Sequence, residues 1–275
     1  MGVSLARLRR DVGGQIGEVL VCTATATGTT STFIDTVRLV QGDNTLAGRQ
    51  AVMTTAATAA NQGVVRLVTG NAQAAGVITV RPDFAAAPVA GDVIELYAKH
   101  GAGPTVEDLN RAINRAIRDA AANALVEDVS TTSTYDPDSS TLTLDSDWTH
   151  FIGAEVQDEE TETWAPLPWW GLDPVARTVN LGYRVHGNGQ YDGHLVRLRG
   201  YTTPGELTAD SDETAINPEW LVARASYHAL ITTASRRSPV DANQALGLAQ
   251  VYREEADRLR GLTRTRMRPC HALGG

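Results

Sequence analysis

Between Glu18 and Tyr97 the chain is written in short runs rich in β-branched residues, and this constrains its fold more than any other feature. VLVCTATA, TFIDTVRLV, GVVRLVTG, GVITVRP and DVIELYA are separated by breaks at Gly28, Gly42 to Asn44, Asn61 to Gly63, Gly70 to Asn71 and Gly91. Short strands at such spacing predict a small antiparallel barrel or sandwich. Val77, Thr79 and Arg81 alternate with Ile78 and Val80, the pattern of a strand with one buried and one wet face. Residues 129 to 200 return to β character after the polar turn TYDPDSST, through TLTLD, FIGAEVQD, ARTVNLGYRV and GHLVRLRGY.

Between these stretches lies the clearest helix, PTVEDLNRAINRAIRDAAANAL. Thr105 suits its N-cap, and Asp108 stands three residues on in a capping-box position. Val106, Leu109, Ile113, Ala116, Ile117 and Ala120 recur at helical spacing as one apolar stripe. Glu107, Arg111, Arg115 and Arg118 occupy the opposite side. Glu107 and Arg111 form a favourable i,i+4 pair worth about 0.2 to 0.5 kcal/mol. The other arginines have few acids on their own helix, so Arg111, Arg115 and Arg118 are candidates for contact with a neighbouring surface. A protein partner is favoured over nucleic acid, because the net charge of −8 repels phosphates on average.

After Asn217-Pro218 the sequence turns helical. Asn217 and Pro218 suit the N-cap and first position, and Trp220, Ala223, Tyr227, Leu230, Ile231 and Ala234 form a stripe. SRRSPVDAN interrupts it and starts a second helix, with Ser238 as N-cap, Pro239 first and Asp241 third. Its expected stripe is Ala245, Leu248, Ala249, Tyr252, Ala256 and Leu259. Two such helices on a short turn read as an antiparallel hairpin. The fold class expected is α+β, with antiparallel β-barrel or sandwich modules, a central amphipathic helix and a C-terminal helical hairpin. The segments are 1–100, an N-terminal β-rich module; 101–128, the helix; 129–206, a second β-rich module; 207–261, a joint and the hairpin; and 262–275, a basic tail. Arg264, Arg266 and Arg268 make that tail a candidate for docking a partner.

Composition closes several routes. At 275 residues, with 42% hydrophobic and 20% charged residues, the chain reads as a globular protein able to bury a real core. Neither a secretory signal nor a membrane-spanning segment is expected. Cys22 and Cys270 are read as free thiols. Lys99 is the single lysine, so a Walker phosphate loop is absent, and neither G-x-S-x-G nor H-E-x-x-H occurs. His186, Asp192 and His194 fall in GYRVHGNGQYDGH, whose glycines and asparagine favour a hairpin turn over a metal site. Trp164, Trp169 and Trp170 cluster around Pro166 and Pro168 in WAPLPWW, expected to be a loop whose indoles pack in core or interface, with a sugar platform as a lesser reading. LTADSDETAINPEW, from 207 to 220, places Asp210, Asp212, Glu213 and Glu219 within ten positions. A calcium loop needs oxygens at its positions 1, 3 and 5 and glycine at 6, and Thr214 and Ala215 break that pattern. The stretch reads as a turn before a capped helix, a joint whose acidity is positional. No catalytic, cofactor or metal residue is assigned.

As a set, STFIDTVRLV, NQGVVRLVTG and GVITVRPDFAAAPVAGDVIELY resemble a recurrent β module of tailed-bacteriophage structural proteins, with a T-x-F-x-D-T-x-x-L opening and a closing GD turn. TVEDLNRAINRAIRDA resembles the helix that follows that module. GHLVRLRGYTTPGELTADSDETAINPEWLVARASYHAL is similar to the joint before the C-terminal helices of phage neck proteins. The resemblance implies a non-enzymatic head-to-tail connector, or adaptor, in the virion neck. It further implies a homo-oligomeric ring, twelve-fold by family, between the portal protein and tail or neck proteins. Genomic DNA would pass through an acidic lumen without specific binding, and no membrane is involved. The alternatives are a glycan-binding module using the Trp164 to Trp170 loop and a metal-assisted enzyme using Asp210, Asp212, His186 and His194.

Overall fold

A computed structural model describes residues 2–17, 19–99, 102–121, 123–130, 133–134, 141–158, 161–167, 170–181, 193–263 and 270–273. The fold is α+β, and among the described residues every strand pairing is antiparallel. Two compact units arise from interleaved chain, Met1–Asp119 with Gly205–Thr263 and Ala120–Pro204 with Arg264–Gly275. No described helix is long and apolar enough to cross a membrane.

The first unit opens with β1 (Val3–Ser4) and α1 (Leu5–Gln15). Leu5, Leu8 and Val12 put an apolar stripe on α1, and all three are buried. The β module follows as β2 (Leu20–Thr23), β3 (Ala26–Thr29), β4 (Thr32–Ile34), β5 (Arg49–Thr55), β6 (Val65–Ala72), β7 (Val77–Arg81) and β8 (Val93–Lys99). They form one sheet in the order β2-β8-β5-β6-β7-β4-β3. Laid flat, its outer strands would stand about 29 Å apart at about 4.8 Å per step. Thr23 and Ala26, the facing ends of β2 and β3, are three residues apart in the chain and therefore within about 11 Å of each other. The sheet must therefore curl until its edges approach. Among the described residues no ladder joins those edges, so the expected barrel is open and its seam is crossed by the chain itself.

The alternation expected in β7 is present, with Ile78 and Val80 buried and Thr79 and Arg81 exposed. TFIDTVRLV is a strand only to Ile34. Asp35, 1% exposed, accepts from the Val37 and Arg38 amides at 2.9 and 3.0 Å and bends the backbone out of the ladder. The same carboxylate accepts from Thr23 N at 2.8 Å. Asp92, in the GD turn, accepts from Ala57 N and Val89 N at 2.8 and 3.0 Å. Both aspartates are loop staples, as buried acceptors must be. Gly76 is required at its site: its φ is 58° and a Cβ would lie 2.6 Å from Thr36 Cα.

Helix α2 (Val106–Ala120) buries the whole expected stripe. Its capping box is reciprocal: Asp108 N donates to Thr105 Oγ1 at 3.2 Å, and Thr105 N to Asp108 Oδ2 at 3.1 Å. The second unit holds β9 (Val126–Val129), β10 (Ser133–Thr134), β11 (Thr141–Thr143), β12 (Trp148–Gln157), β13 (Trp164–Pro166), β14 (Gly171–Asp173), β15 (Thr178–Asn180) and β16 (Leu195–Thr202). One sheet runs β10-β16-β12-β13 with β9 also on β16, and a smaller one runs β11-β15-β14. The turn at TYDPDSST and the end of ARTVNLGYRV lie largely outside the described residues. Trp164 to Pro166, expected as loop, is instead the edge strand β13, a position where a proline without an N–H is tolerated.

The first unit is completed by β17 (Glu213–Thr214), α3 (Pro218–Ala234) and α4 (Pro239–Leu259), the last two forming the expected hairpin. Asn217 caps α3 through Trp220 N at 3.1 Å, and Ser238 caps α4 through Asp241 N at 3.3 Å. On helix α3 Trp220, Ala223, Leu230 and Ala234 of the expected stripe are buried, Tyr227 is half-buried and Ile231 is 41% exposed, while Leu221, Val222, Ala225 and Ala229, outside the stripe, are covered. On α4 the buried residues are Ala245, Ala249 and Ala256, whereas Leu248 is 38% exposed. These alanines let the two helices pack closely and leave the larger Leu248 at the margin. The C-terminal strand β18 (His271–Ala272) joins β12 in the second unit, with Leu273 buried in its core.

Gly200 of β16 lies against the buried Trp148, where an added Cβ would fall 2.3 Å from the indole ring. Gly200→Ala is expected to destabilise the second unit by about 2 to 3 kcal/mol through overpacking, measured by urea unfolding of that unit. An unchanged midpoint would show that Trp148 can move aside.

Candidate functional site

The arginine face of α2 and the acidic joint from 207 to 220 both lie in the first unit, and each can be built from its residues. The joint carries the stronger constraint. Arg9 sits on α1 among Leu5, Leu8 and Val12 and is 1% exposed. Its guanidinium donates to both oxygens of Asp210, at 2.7 and 2.8 Å, and to Asn110 Oδ1 at 3.3 Å. Its Nε donates to the Tyr97 hydroxyl at 3.4 Å, which in turn donates to the fully buried Glu95 at 2.5 Å. Arg10, the next residue on α1, bonds the other Glu95 oxygen. Burial and the Glu95 charge hold the Tyr97 phenol well above its ordinary range. One network thus runs from the joint through α1 to β8.

The joint reciprocates through its backbone. Asp212 O accepts from Leu5 N at 2.9 Å and Asp210 O from Ala6 N at 3.2 Å, satisfying two of the orphan amides that begin α1. Val3 and Ser4 pair with Thr214 and Glu213. Asp212 Oδ2 accepts from Thr208 N, Thr208 Oγ1 and Ala209 N at 2.7, 3.0 and 2.8 Å, and these bonds hold its carboxyl below the usual range. Glu219 lies in the first turn of α3. The four carboxylates therefore have separate tasks. Both oxygens of Asp210 are taken by Arg9, which competes with any cation. Among the described residues no three His, Cys, Asp or Glu side chains gather closely enough to hold an ion.

Arg111, Arg115 and Arg118 are all exposed, as expected. Arg111 pairs with Glu107, and Arg118 finds Glu206, an acid 88 residues away that no helical spacing reveals. Arg115 has no hydrogen bond or ion pair among the described residues. The three arginines border a cavity of about 320 Å³, which Asn114, His228 and Thr232 also line. Beside it Asp119 accepts from Arg224 at 2.6 Å and from His228 Nε2 at 2.8 Å, while Asp108 accepts from Arg236 at 2.7 Å. Burial lowers the His228 pKa from 6.5, outweighing the opposing pull of Asp119. Asp119 is lowered from 3.8, because its bonds to His228 and Arg224 exceed the effect of burial.

The other candidates fall elsewhere. Arg264, Arg266, Arg268, His186, Asp192 and Trp169 lie outside the described residues. His194 Nδ1 is 3.0 Å from Gln157 O. Trp164 is covered by Arg197, whose Cζ lies 4.1 Å from the ring centroid, and Trp170 packs edge-on to Phe151 and His271. Both indoles are thus engaged in ways that compete with sugar stacking. Both cysteines are free thiols, and Cys22 is pushed up to about 12 by burial and by Asp35, which makes it inert. Sequence reasoning missed Arg9, although an arginine at i+4 from Leu5 inside an apolar stripe was the available signal.

A histidine held neutral in the fold but protonated when unfolded gives stability that is complete above pH 6.5 and is lost as pH falls below it. Wild-type Tm is therefore expected to decline from pH 7 to pH 5 more steeply than that of His228→Gln, measured by calorimetry. Equal slopes would remove His228 as the source.

No protein-family model matches the chain, and no curated protein compared with it is similar in sequence.

Proposed function

We propose that this chain is a non-enzymatic structural protein of a tailed-phage virion, a head-to-tail adaptor that forms a ring between portal and tail. The observation that carries the reading is the outward side of α4. Val240 is 67% exposed and Val251 56%, while Leu246 and Leu248, further round the helix, are 45% and 38% exposed. At 100° per residue Val240, Gly247 and Val251 fall within about 40° of one another. A helix that buries alanines inward and presents valines along its outward side suits docking, since exposed apolar side chains gain by being covered.

Three further features support the reading. Asp35 and Asp92, the acids of the STFIDT and GD signatures, act as loop staples, as an architectural module requires. The acids of the joint are committed to a buried arginine and to backbone amides, an arrangement suited to fixing an angle between a β body and a helical hairpin. The net charge of −8 suits a ring through which DNA slides without binding wells. The portal and neck partners follow from the resemblance in STFIDTVRLV and TVEDLNRAINRAIRDA.

Mass photometry of the 29.3 kDa chain, alone and with the portal protein encoded by the same genome, tests the proposal. A single high multiple of the protomer mass, formed alone or on the portal, is expected. Val240→Ser with Val251→Ser should weaken portal association roughly tenfold, about 1.4 kcal/mol, while leaving Tm unchanged. A chain that remains monomeric in both settings and is absent from purified virions contradicts it.

A further inference from the structure

β12, ten residues long, is completed by a strand from far along the chain. It pairs with β16 from Trp148 to Val156, and on its other side β13 covers Glu155 to Gln157, extended by Leu167 N donating to Ala154 O at 2.8 Å. Nearer Trp148 that second side is filled by β18, with His150 opposite Ala272 and Phe151 opposite His271. Leu273 N donates to Thr149 O at 2.9 Å and continues the ladder. The side chains follow the backbone. Leu273, 9% exposed, joins the core cluster of Trp148, Phe151 and Ala154, and the His271 ring stands edge-on to Trp170 with 5.3 Å between centroids. Without β18, no described strand covers this part of β12, and its core loses a leucine. A bare edge beside an open apolar site is what an added strand from another chain recognises.

The strand that fills this slot is set apart in sequence. Ala120–Pro204 builds the body of the second unit, Gly205–Thr263 belongs to the first, and β18 comes only after that. Seven peptide steps from Thr263 to Cys270 span at most about 25 Å, so β18 can enter any slot within that reach of Thr263. It is held there by two paired residues, one further amide and one leucine side chain. So small a contact opens far more readily than the sheet it joins. A slot on a second copy presents the same backbone groups and the same leucine site, so a strand that changes chains gives up none of these contacts. We infer that in the assembled protein β18 of one copy is donated to β12 of the next, completing that copy's second unit. Each copy then gives a strand at one surface and receives one at another. Such a contact is heterologous, the kind that generates rings when the rotation closes. It rests on the adaptor reading and supplies its subunit interface.

The register supplies the test. Thr149 and Leu273 are a hydrogen-bonded pair, so His150 and Ala272 beside them form a non-hydrogen-bonded pair with Cα atoms about 4.5 Å apart, close enough for a disulfide. Two full-length chains are made with Cys270→Ser, one carrying His150→Cys and the other Ala272→Cys, and are co-expressed in equal amounts with the same-genome portal. The assembly is then oxidised, and the chains are separated under non-reducing, denaturing conditions. A bond from position 150 to position 272, identified by peptide mass, can form here only between two chains. Random mixing sets donor before acceptor at about one contact in four, so about half of all chains should be linked in pairs. A chain carrying both changes shows where the bond closes when either route is open, and ladders of linked chains are expected. Should these variants unfold by circular dichroism, Ile152→Cys with Cys270→Ser is co-expressed with the wild type, since the register sets residue 152 opposite the native Cys270. Bonds that close only within single chains, or that form with neither cysteine pair in an assembled protein, overturn the exchange and leave the adaptor reading standing. A wild-type chain that never self-associates overturns both.

Discussion

A guanidinium buried to 1% exposure is costly unless its donors are met, and the first unit is arranged around meeting those of Arg9. The bidentate pair with Asp210 supplies charge and geometry together, as a planar fork on a carboxylate does. Tyr97 and Asn110 take further donors. Because Arg10 next to it engages Glu95, two consecutive residues of α1 fasten it to the joint on one side and to β8 on the other. The amides that begin α1 then find carbonyl partners in the joint. Placement of α1, the joint and the entry to α3 thus depends on one ion pair between residues 201 apart.

That arrangement explains why the acids between 207 and 220 are dense without forming a single site. Asp210 neutralises a buried cation, Asp212 closes a turn, and Glu213 and Glu219 sit in a short strand and in the first turn of a helix. Each is where its local geometry wants a carboxylate, including the N-terminal end of a helix dipole. The hairpin that follows buries its small residues and turns valines outward. Under the proposed adaptor role, this joint sets the angle at which the partly apolar hairpin meets its partner.

How much of this the sequence disclosed depends on how local the governing interactions are. Helix α2 was legible because its stripe and capping box lie within sixteen residues, Thr105 to Ala120. The alternation in β7 was legible for the same reason. Helix α1 was not, because its eleven residues include Gly13 and Gly14 and place Arg9 on the apolar side. β5, a central strand, was missed because RQAVMTT lacks alternation and begins with two polar residues. The stop after Ile34 depends on one aspartate side chain bonding its own neighbours. In the candidate sites, the arginine face could be drawn from helical spacing, but Glu206, Arg224, His228 and Arg236 come from distant segments. The buried role of Asp210 was hidden because its partner is at the other end of the unit.

Asp210 serves as the counter-ion of Arg9. A double-mutant cycle of Arg9→Met and Asp210→Asn, measured by urea unfolding, tests it most directly. Asp210→Asn should cost about 3 to 5 kcal/mol by leaving the buried Arg9 without its counter-ion, Arg9→Met should cost less because Asp210 is 27% exposed in its side chain, and the double variant should cost at least about 1 kcal/mol less than their sum. Losses that add to within about 0.5 kcal/mol would mean that the two residues act independently, contradicting the claim.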